Sequence, residues 1–267
     1  MAMTIAGSDS GGGAGLQADL KTFGALGVFG TSVVTAVTAQ NTAEVRGVLI
    51  IDTDFVELQI DTVLSDLDVA SVKTGMLASS ATVAAVARWA AEGRLPRLVV
   101  DPVLVSSTGR PLLGDGGVES YLELLLPHAS VVTPNTREAA LLTGAPVDDV
   151  EAMVRAAHRL ADTGVGAVVV KGGHLSGERA PDVVLCEGVV HVLDGPRLTS
   201  ANDHGTGCTL SAATAAFLAQ GVGVLDSLTR AKEFVSSALA GSAPWHLGAG
   251  HGPLDHFGWG RGSDQRP

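Results

Sequence analysis

Cysteine is scarce in this chain: Cys186 and Cys208 are the two present among 267 residues. Two isolated cysteines exclude the disulfide framework of a small secreted protein, and no spacing of cysteine and histidine is typical of a zinc site. The first residues also lack the positively charged and apolar segments of a signal peptide. We therefore expect a cytoplasmic protein with reduced thiols.

Positive charge is scarce as well, because 17 Lys and Arg residues face 28 Asp and Glu residues and the net charge is −11. Such a chain gains no attraction from the release of counterions on DNA or RNA, so we expect no nucleic-acid partner. The same negative charge repels phosphate groups. A phosphate site must therefore be built locally, from backbone N–H groups, a lysine and a metal ion.

Long apolar runs are missing, although 46% of the residues are hydrophobic. The longest runs, such as residues 167–170, are far shorter than the about 20 residues of a membrane-spanning helix, so we expect no membrane partner. Instead, short β-branched runs alternate with longer Ala- and Leu-rich stretches. This alternation predicts an α/β fold, a three-layer αβα sandwich with a mostly parallel central sheet and helices on both faces.

The same pattern gives the expected boundaries. Two short runs around Glu187-Gly188 break the alternation and predict a β-hairpin. Residues 1–257 are expected to form a single domain and residues 258–267 a loose tail. Strands are predicted over residues 4–6, 32–38, 45–51, 71–74, 98–101, 131–133, 167–171, 182–186 and 189–193, and helices over residues 16–26, 54–67, 80–92, 118–125, 136–142, 150–163, 206–220 and 225–239.

Polar residues recur at the predicted carboxyl ends of the strands, which is where open α/β sheets bind ligands. Lys171 ends a buried strand, where an unpaired charge is costly, so we expect it to point outward to an anion. Asp101 ends another strand, and solvent or a cation must balance its charge. A magnesium role for Asp101 is therefore consistent with its position but not specific to it.

A second feature is the pair of glycines, Gly205 and Gly207, that precedes a strongly helical segment. Glycines let successive N–H groups turn toward one point, and the helix adds its positive end. The segment from Gly205 to Cys208 therefore predicts a site for the negative charge that moves in phosphoryl transfer. Cys208 falls in the first helical turn, where the helix dipole lowers a thiol pKa. An ordinary helix cap with Cys208 in the core explains these residues about equally well.

The Gly-rich segment at 6–22 follows the first strand, but it matches neither a dinucleotide-binding fingerprint nor a P-loop. Asp19, near the start of the next helix, is a candidate acceptor for a substrate hydrogen bond, and a solvated helix face is the alternative. Farther along, Asn135 and Glu138 have the spacing of a capping box, which explains both residues. A functional interpretation has Glu138 hold a magnesium ion through water.

Taken in chain order, these segments resemble the hydroxymethylpyrimidine/phosphomethylpyrimidine kinases of thiamine biosynthesis, in the ribokinase-like superfamily. The resemblance extends over essentially the whole chain. It is carried by the opening segment 5–22, by Ala39-Gln40-Asn41-Thr42, Lys73-Thr-Gly-Met-Leu77, Asp101-Pro-Val, Thr133-Pro-Asn135 and Lys171-Gly-Gly-His174, by residues 204–213, and by Gly250-His-Gly-Pro253.

The resemblance implies two steps that depend on ATP and Mg²⁺: phosphorylation of a hydroxymethyl pyrimidine, and phosphorylation of its monophosphate to the pyrophosphate. It also implies a homodimer and a role for each candidate residue. Gly7, Asp19, Gln40 and Met76 would line the pyrimidine pocket. Cys208 would take the proton of the substrate hydroxyl beside an anion hole of Gly205, Thr206 and Gly207. Lys171 would meet the ATP phosphates and Glu138 the metal. We expect Asn135 at the nucleotide and Asp101 at the metal as well.

The chain departs from the family pattern at two places. Asn202-Asp203 stands where a threonine is expected, and Ser106-Ser107 fills a loop that often carries a lysine. Three alternatives stay open from the sequence. A pyridoxal or pyridoxine kinase would use the same fold on a similar ring, a thiol hydrolase would use Cys208 with His204 as its base, and a non-catalytic pyrimidine- or phosphate-binding module would need no base at all.

Overall fold

The computed structural model describes residues 1–104, 113 and 116–260. Ser106 and Ser107, and residues 261–267 of the predicted tail, lie outside this part of the chain. Within it, nine strands form one sheet in the order β3-β2-β1-β4-β5-β6-β7-β8-β9. The strands are β1 Ala2–Ser8, β2 Gly30–Gln40, β3 Val45–Ile50, β4 Ser71–Thr74, β5 Val99–Val100, β6 Val131–Val132, β7 Ala167–Lys171, β8 Asp182–Cys186 and β9 Val189–Leu193.

The sheet is mixed, with a parallel centre and antiparallel edges. The strands from β2 to β7 pair in parallel, while β3 at one edge and β8 and β9 at the other pair antiparallel. The hairpin predicted around Glu187-Gly188 is confirmed. The pairing of β3 with β2 is a second antiparallel pair that the alternation did not predict, so "mostly parallel" holds only for the centre. Residues 41–44 are too few for a parallel crossover, and Asn41 Oδ1 closes this turn on the amides of Ala43 and Glu44.

The helices follow the predicted pattern within one to three residues at most ends. In the described part of the chain they are α1 Gly15–Ala25, α2 Thr53–Asp66, α3 Ser80–Ala91, α4 Gly117–Ser120, α5 Thr136–Thr143, α6 Val150–Ala161, α7 Thr206–Ala219 and α8 Val224–Ser242. The helix predicted at 118–125 is different: α4 ends after one turn and continues as a π-helical turn and then a 3₁₀ turn at Leu126–His128. Pro127, which has no N–H to donate, lies in that last turn.

Apolar side chains cover both faces of the sheet. Val100 and Val132 belong to one buried cluster, while their neighbours Val99 and Val131 belong to another. Because successive residues of a strand point to opposite faces, the two clusters lie on opposite sides of the sheet. The first cluster includes side chains of α2, α3 and α6, and the second those of α1, α7 and α8. Within residues 1–104, 113 and 116–260, no helix combines the length and apolar character of a bilayer span.

The start of the predicted tail is held to the rest of the fold. The amides of Trp259 and Gly260 donate to the two carboxylate oxygens of Asp255, at 2.9 and 2.7 Å. A Cβ on Gly260 would lie 2.0 Å from the carbonyl oxygen of Gly241 in α8. Residues 259 and 260 are therefore held by hydrogen bonds although they are exposed, and looseness stays a prediction for residues 261–267.

A buried ion pair joins α1 to the sheet. Lys73 Nζ in β4 lies 2.8 and 3.0 Å from the two carboxylate oxygens of Asp19 in α1, and both side chains are completely buried. Thr4 Oγ1 in β1 donates to the same carboxylate at 2.6 Å. A buried charge left without its partner is strongly destabilising, so each member of the pair requires the other.

We predict that Lys73→Met lowers the free energy of unfolding by about 3–5 kcal/mol, because it leaves Asp19 buried without a counter-charge. Urea denaturation measures this loss. The double variant Lys73→Met/Asp19→Asn should recover a large part of it, since an uncharged amide needs no counter-charge. The matched control is Arg46→Met, which breaks the exposed Arg46–Glu44 pair and should cost less than about 1 kcal/mol. Equal losses in the two single variants would contradict the argument.

Candidate active site

Three of the predicted residues meet where the first turn of α7 lies over the ends of β5 and β7. Lys171 Nζ donates to Asp101 Oδ1 at 3.0 Å. A Cβ on Gly207 would lie 3.1 Å from Lys171 Nζ and 3.8 Å from Asp101 Oδ2. A glycine at 207 therefore lets the α7 backbone approach this ion pair closely.

Hydroxyl groups that the sequence did not single out complete the surroundings of Asp101. Ser211 Oγ in α7 donates to Asp101 Oδ2 at 3.3 Å, and Thr133 Oγ1 after β6 donates to Oδ1 at 3.4 Å. Ser211 lies one helical turn after Gly207, so helical spacing was the signal that could have found it. Asp101 is thus held from three sides, by Lys171, Thr133 and Ser211.

The anion-hole segment depends on a glycine at its first position. Gly205 is the N-cap of α7 and has φ +87°, a conformation that favours glycine. A Cβ there would lie 2.0 Å from the carbonyl oxygen of Gly13, so the opening Gly-rich loop packs directly on this turn. Thr206 Oγ1 donates to the carbonyl oxygen of Asp203 at 2.6 Å. The amide of Thr206 donates to the carbonyl oxygen of Asp203 at 3.3 Å. The amides that follow it in the first turn have no intrahelical acceptor, which leaves them available for an anion.

Cys208 is a thiol rather than a thiolate in this site. Burial raises its pKa to about 11, with Asp19 and Asp101 adding to the shift. The positive charge of Lys73 and the backbone amide of Gly15 oppose the shift without cancelling it. The helix end alone was expected to lower this pKa, and burial outweighs it.

Asn135 and Glu138 form the capping box that their spacing predicts. Asn135 Oδ1 accepts from the amides of Arg137 and Glu138, and Glu138 Oε2 accepts from the amide of Asn135 at 2.8 Å. Burial raises the pKa of Glu138 to about 7, and Asp101 adds to that shift while Lys171 opposes it. Glu138 therefore belongs electrostatically to the same charge cluster. In the described residues, no group of three or more His, Cys, Asp or Glu side chains is arranged to hold a metal ion.

The Asp19 carboxylate is completely buried between α1 and the sheet. We predicted that it hydrogen-bonds the substrate, but it is completely buried and bound to Lys73 and Thr4. Lys73 explains the difference, because a buried lysine requires a counter-charge. The other three predicted pocket residues are placed differently. A Cβ on Gly7 would lie 2.4 Å from Met76 Cε, so these two residues are in contact, and the side chain of Gln40 reaches His204.

Asp9 is a site residue that the sequence analysis missed. Its carboxylate accepts from the amides of Gly11, Gly13 and Ala14, at 2.8–3.0 Å, and its Oδ2 lies 3.0 Å from His204 Nε2. The amides of the Gly-rich loop are therefore used by Asp9, which agrees with the absence of a P-loop. An aspartate two residues before a run of glycines commonly bonds the backbone ahead of it, and that was the available signal.

The closing segment covers this side of the site. The amide of His251 donates to the carbonyl oxygen of Thr42 at 3.0 Å, beside Gln40. Asn202, where the family pattern has another residue, donates through Nδ2 to the carbonyl oxygens of Ser242 and Trp245. Asn202 thus holds the end of α8 through these two hydrogen bonds, which is a structural role.

Comparison with known proteins decides the family. A family model described as phosphomethylpyrimidine kinase matches residues 9–255. The chain belongs to this family. It is 49% identical over 259 residues to a hydroxymethylpyrimidine/phosphomethylpyrimidine kinase of Rhizobium meliloti, covering 96% of this chain and 97% of that protein.

Solved structures with 36–37% sequence identity to this chain show the same fold. An ADP complex of a pyridoxal kinase from Bacillus subtilis matches with a TM-score of 0.88 at 36% identity, covering 96% of both chains. A phosphomethylpyrimidine kinase from Clostridium difficile matches with a TM-score of 0.78 at 37% identity, covering 89% of this chain and 98% of that one. The sequence relative bears the pyrimidine kinase name, and the structural neighbours include both kinds of kinase.

We predict that iodoacetamide alkylates Cys208 slowly at neutral pH and about tenfold faster for each added pH unit up to pH 10, because only the thiolate reacts and burial raises the pKa to about 11. The measurement uses the Cys186→Ser variant, in which Cys208 is the only thiol. The same variant unfolded in urea is the control, and its rate should level off above about pH 9. A plateau near pH 8–9 in the folded protein would show that the helix end dominates.

Proposed function

We propose that the protein transfers the γ-phosphoryl group of ATP to the hydroxymethyl group of 4-amino-5-hydroxymethyl-2-methylpyrimidine, and then phosphorylates the monophosphate to the pyrophosphate, in thiamine diphosphate biosynthesis. The observation that carries this proposal is the contact of Gly207 with the Lys171–Asp101 pair. It brings a cation and a set of helix-end amides to one point in an otherwise acidic chain. The kinship with the Rhizobium meliloti kinase supports the pyrimidine as substrate.

Each group of site residues has its own role in the two phosphoryl transfers. In each transfer the substrate oxygen forms a bond to the γ-phosphorus while the bond from that phosphorus to the ADP oxygen breaks. Such transfers need positioning and charge stabilisation more than covalent help. The helix-end amides from Gly205 to Cys208 stabilise the negative charge of the transferred group, and Lys171 and Asn135 lie beside the nucleotide. Gln40, Met76 and Gly7 hold the ring.

Cys208 lies beside the substrate hydroxyl and accepts its proton in the first step only when its own thiol is ionised, because a thiol that already carries its proton cannot take a second one. Because burial raises its pKa to about 11, the thiolate is the minor form near neutral pH, and we expect the first step to speed up as the pH rises toward that value. The second step attacks from a phosphate oxygen, which hardly needs a base. Cys208 should therefore matter more for the first phosphorylation than for the second.

Magnesium is the metal that the acidic residues suit. Mg²⁺ prefers oxygen ligands and is usually held by one or two carboxylates together with phosphate oxygens and waters. Asp101 and Glu138 supply two carboxylates, and the raised pKa of Glu138, caused by burial and then by Asp101, is the strain that a cation would relieve. When bound, Mg²⁺ neutralises charge on the phosphates.

The fold-level proposals are the single ribokinase-like domain of residues 1–257 and its three-layer sandwich. Apolar clusters on both faces of the sheet support the sandwich. The cytoplasmic location stays a prediction. The thiol hydrolase is disfavoured, because His204 Nε2 faces Asp9 and Gln40, and in the described residues no hydrogen bond joins His204 to Cys208. A pyridoxal kinase is the second candidate, favoured by the likeness to the Bacillus subtilis structure.

We expect the purified protein with MgATP to produce the pyrimidine monophosphate and then the pyrophosphate, with a kcat/KM at least about tenfold higher than for pyridoxal. Formation of each product, followed by chromatography, measures the two steps separately. Cys208→Ala should slow the first step by about 10²-fold or more, the usual contribution of a proton acceptor, and the second by less than about fivefold. Faster turnover of pyridoxal would favour the second candidate, and ligand binding without any turnover would favour the non-catalytic module.

We also propose a homodimer that uses the β3 edge of the sheet. This edge and its surroundings carry large exposed apolar side chains, which include Val37, Leu49, Ile50, Phe55 and Leu58. Val37 and Leu49 are paired across β2 and β3, so they share one face. Exposed apolar groups concentrated on an edge strand are typical of a surface that another chain covers.

Sedimentation velocity should show a dimer for the wild type and a monomer for Leu49→Asp, because a charge at the centre of a buried contact leaves it unpaired. Leu141→Asp is the matched control, since Leu141 in α5 is also exposed, at 50% against 68% for Leu49. The control should sediment as the wild type does. A wild-type monomer at micromolar concentration would contradict the proposal.

A further inference from the structure

One nitrogen atom of His204 faces two partners at once. His204 Nε2 lies 3.0 Å from Asp9 Oδ2 and 3.1 Å from Gln40 Nε2. The nitrogen either carries a proton and donates, or has a lone pair and accepts, but it cannot do both. The charge of Asp9 decides between these two states.

Asp9 is ionised. Burial raises its pKa, but the hydrogen bonds from His204 and from the amides of Ala14 and Gly11 outweigh burial and hold the pKa below its usual value. An ionised carboxylate only accepts hydrogen bonds, so His204 Nε2 carries the proton and donates it to Asp9. No lone pair is then left at Nε2 for an N–H of Gln40.

The Gln40 carboxamide must therefore turn its oxygen toward His204. With its nitrogen there, two donors would face each other at 3.1 Å. The oxygen and nitrogen of a carboxamide are interchanged by a half-turn of the end group, and the hydrogen-bond network decides between the two orientations. With Oε1 sharing the one Nε2–H of His204 with Asp9 Oδ2, as a bifurcated hydrogen bond, the NH₂ group of Gln40 points the other way, away from the Asp9–His204 pair.

The three side chains have little freedom to rearrange. The backbone of Gln40 is held by Ser10, whose Oγ accepts from the Gln40 amide and donates to its carbonyl oxygen, both at 2.8 Å. The His204 ring lies so close to Gly13 that a Cβ there would come within 2.5 Å of Cδ2. The Asp9 carboxylate is held in place by its hydrogen bonds from the three loop amides.

We propose that His204 and Asp9 are positioning residues that fix the Gln40 carboxamide as a hydrogen-bond donor toward the substrate. The preferred ligand is then a flat heteroaromatic ring that presents an unprotonated nitrogen to this donor. The inference rests on the proposed function, because that function places Gln40 against the ring. It adds the reason why a ring nitrogen is selected there.

A double-mutant cycle on Gln40 and His204 tests the coupling. We expect Gln40→Leu and His204→Leu each to raise the KM for the hydroxymethyl pyrimidine about tenfold, the loss of one buried hydrogen bond. Because both changes remove the same donor, the double variant should lie within about twofold of either single variant. The KM for ATP should stay within about twofold throughout. A wholly structural role of His204 would instead alter both substrates together.

A second pair of variants keeps the test sound if leucine at 204 disturbs folding. His204→Gln places an amide nitrogen near the position of Nε2 and should keep the KM for the pyrimidine within about threefold of wild type. His204→Asn has the same chemistry but does not reach that position, so its KM should rise about tenfold. Substrate analogues with C–H in place of each ring nitrogen in turn should lose about tenfold for one nitrogen in the wild type, and nothing further in Gln40→Leu.

The outcomes separate this inference from the function on which it rests. If the wild type does not phosphorylate the pyrimidine, the proposed function fails before the cycle begins. If the wild type is active but the two leucine variants multiply to about a hundredfold, His204 acts independently of Gln40 and the inference is overturned. Equal KM values for His204→Gln and His204→Asn would overturn it as well.

Discussion

The structure depends on two lysine–aspartate pairs at the carboxyl ends of the central strands, one completely buried and one partly exposed at its lysine. Lys73 with Asp19 ties β4 to α1, and Lys171 with Asp101 ties β7 to the end of β5. A lysine inside an apolar sheet is tolerated only with a counter-charge. The elements beside each pair must therefore keep the lysine and the aspartate in contact. Gly207 lies against the second pair, and that contact fixes where the first turn of α7 begins.

The same pairs govern the electrostatics of the site. The chain carries a net charge of −11, and the two lysines of the site are each paired with an aspartate. Cys208 lies among these charges, and burial together with Asp19 and Asp101 keeps its thiol protonated in spite of Lys73 and the helix end. The site therefore stabilises negative charge through backbone amides and Lys171, and it supplies no strong base of its own. A site that stabilises negative charge but has a protonated thiol suits phosphoryl transfer better than nucleophilic attack by a thiolate.

The comparison of prediction with structure shows which sequence signals were sufficient. Strands β4, β7, β8 and β9 have the predicted bounds. For β7, β8 and β9 the reason is a run rich in valine between turn residues, which leaves little choice. The antiparallel pairing of β3 was missed, since a strand's direction depends on the length of the connection and not on its own residues. The helix at 118–125 was predicted as regular, and the turn that contains Pro127 makes it irregular.

The sequence by itself determined the α/β class, the rim of polar residues and the glycines at 205 and 207, because these follow from periodicity and backbone freedom. Only the tertiary structure decided what each polar group does. Asp19 was expected at the ligand and is instead the counter-charge of Lys73, while Asp9 holds the Gly-rich loop and His204. The physical reason is that a side chain's role is set by the partner that burial gives it. That partner comes from a distant part of the chain, and local spacing does not encode it.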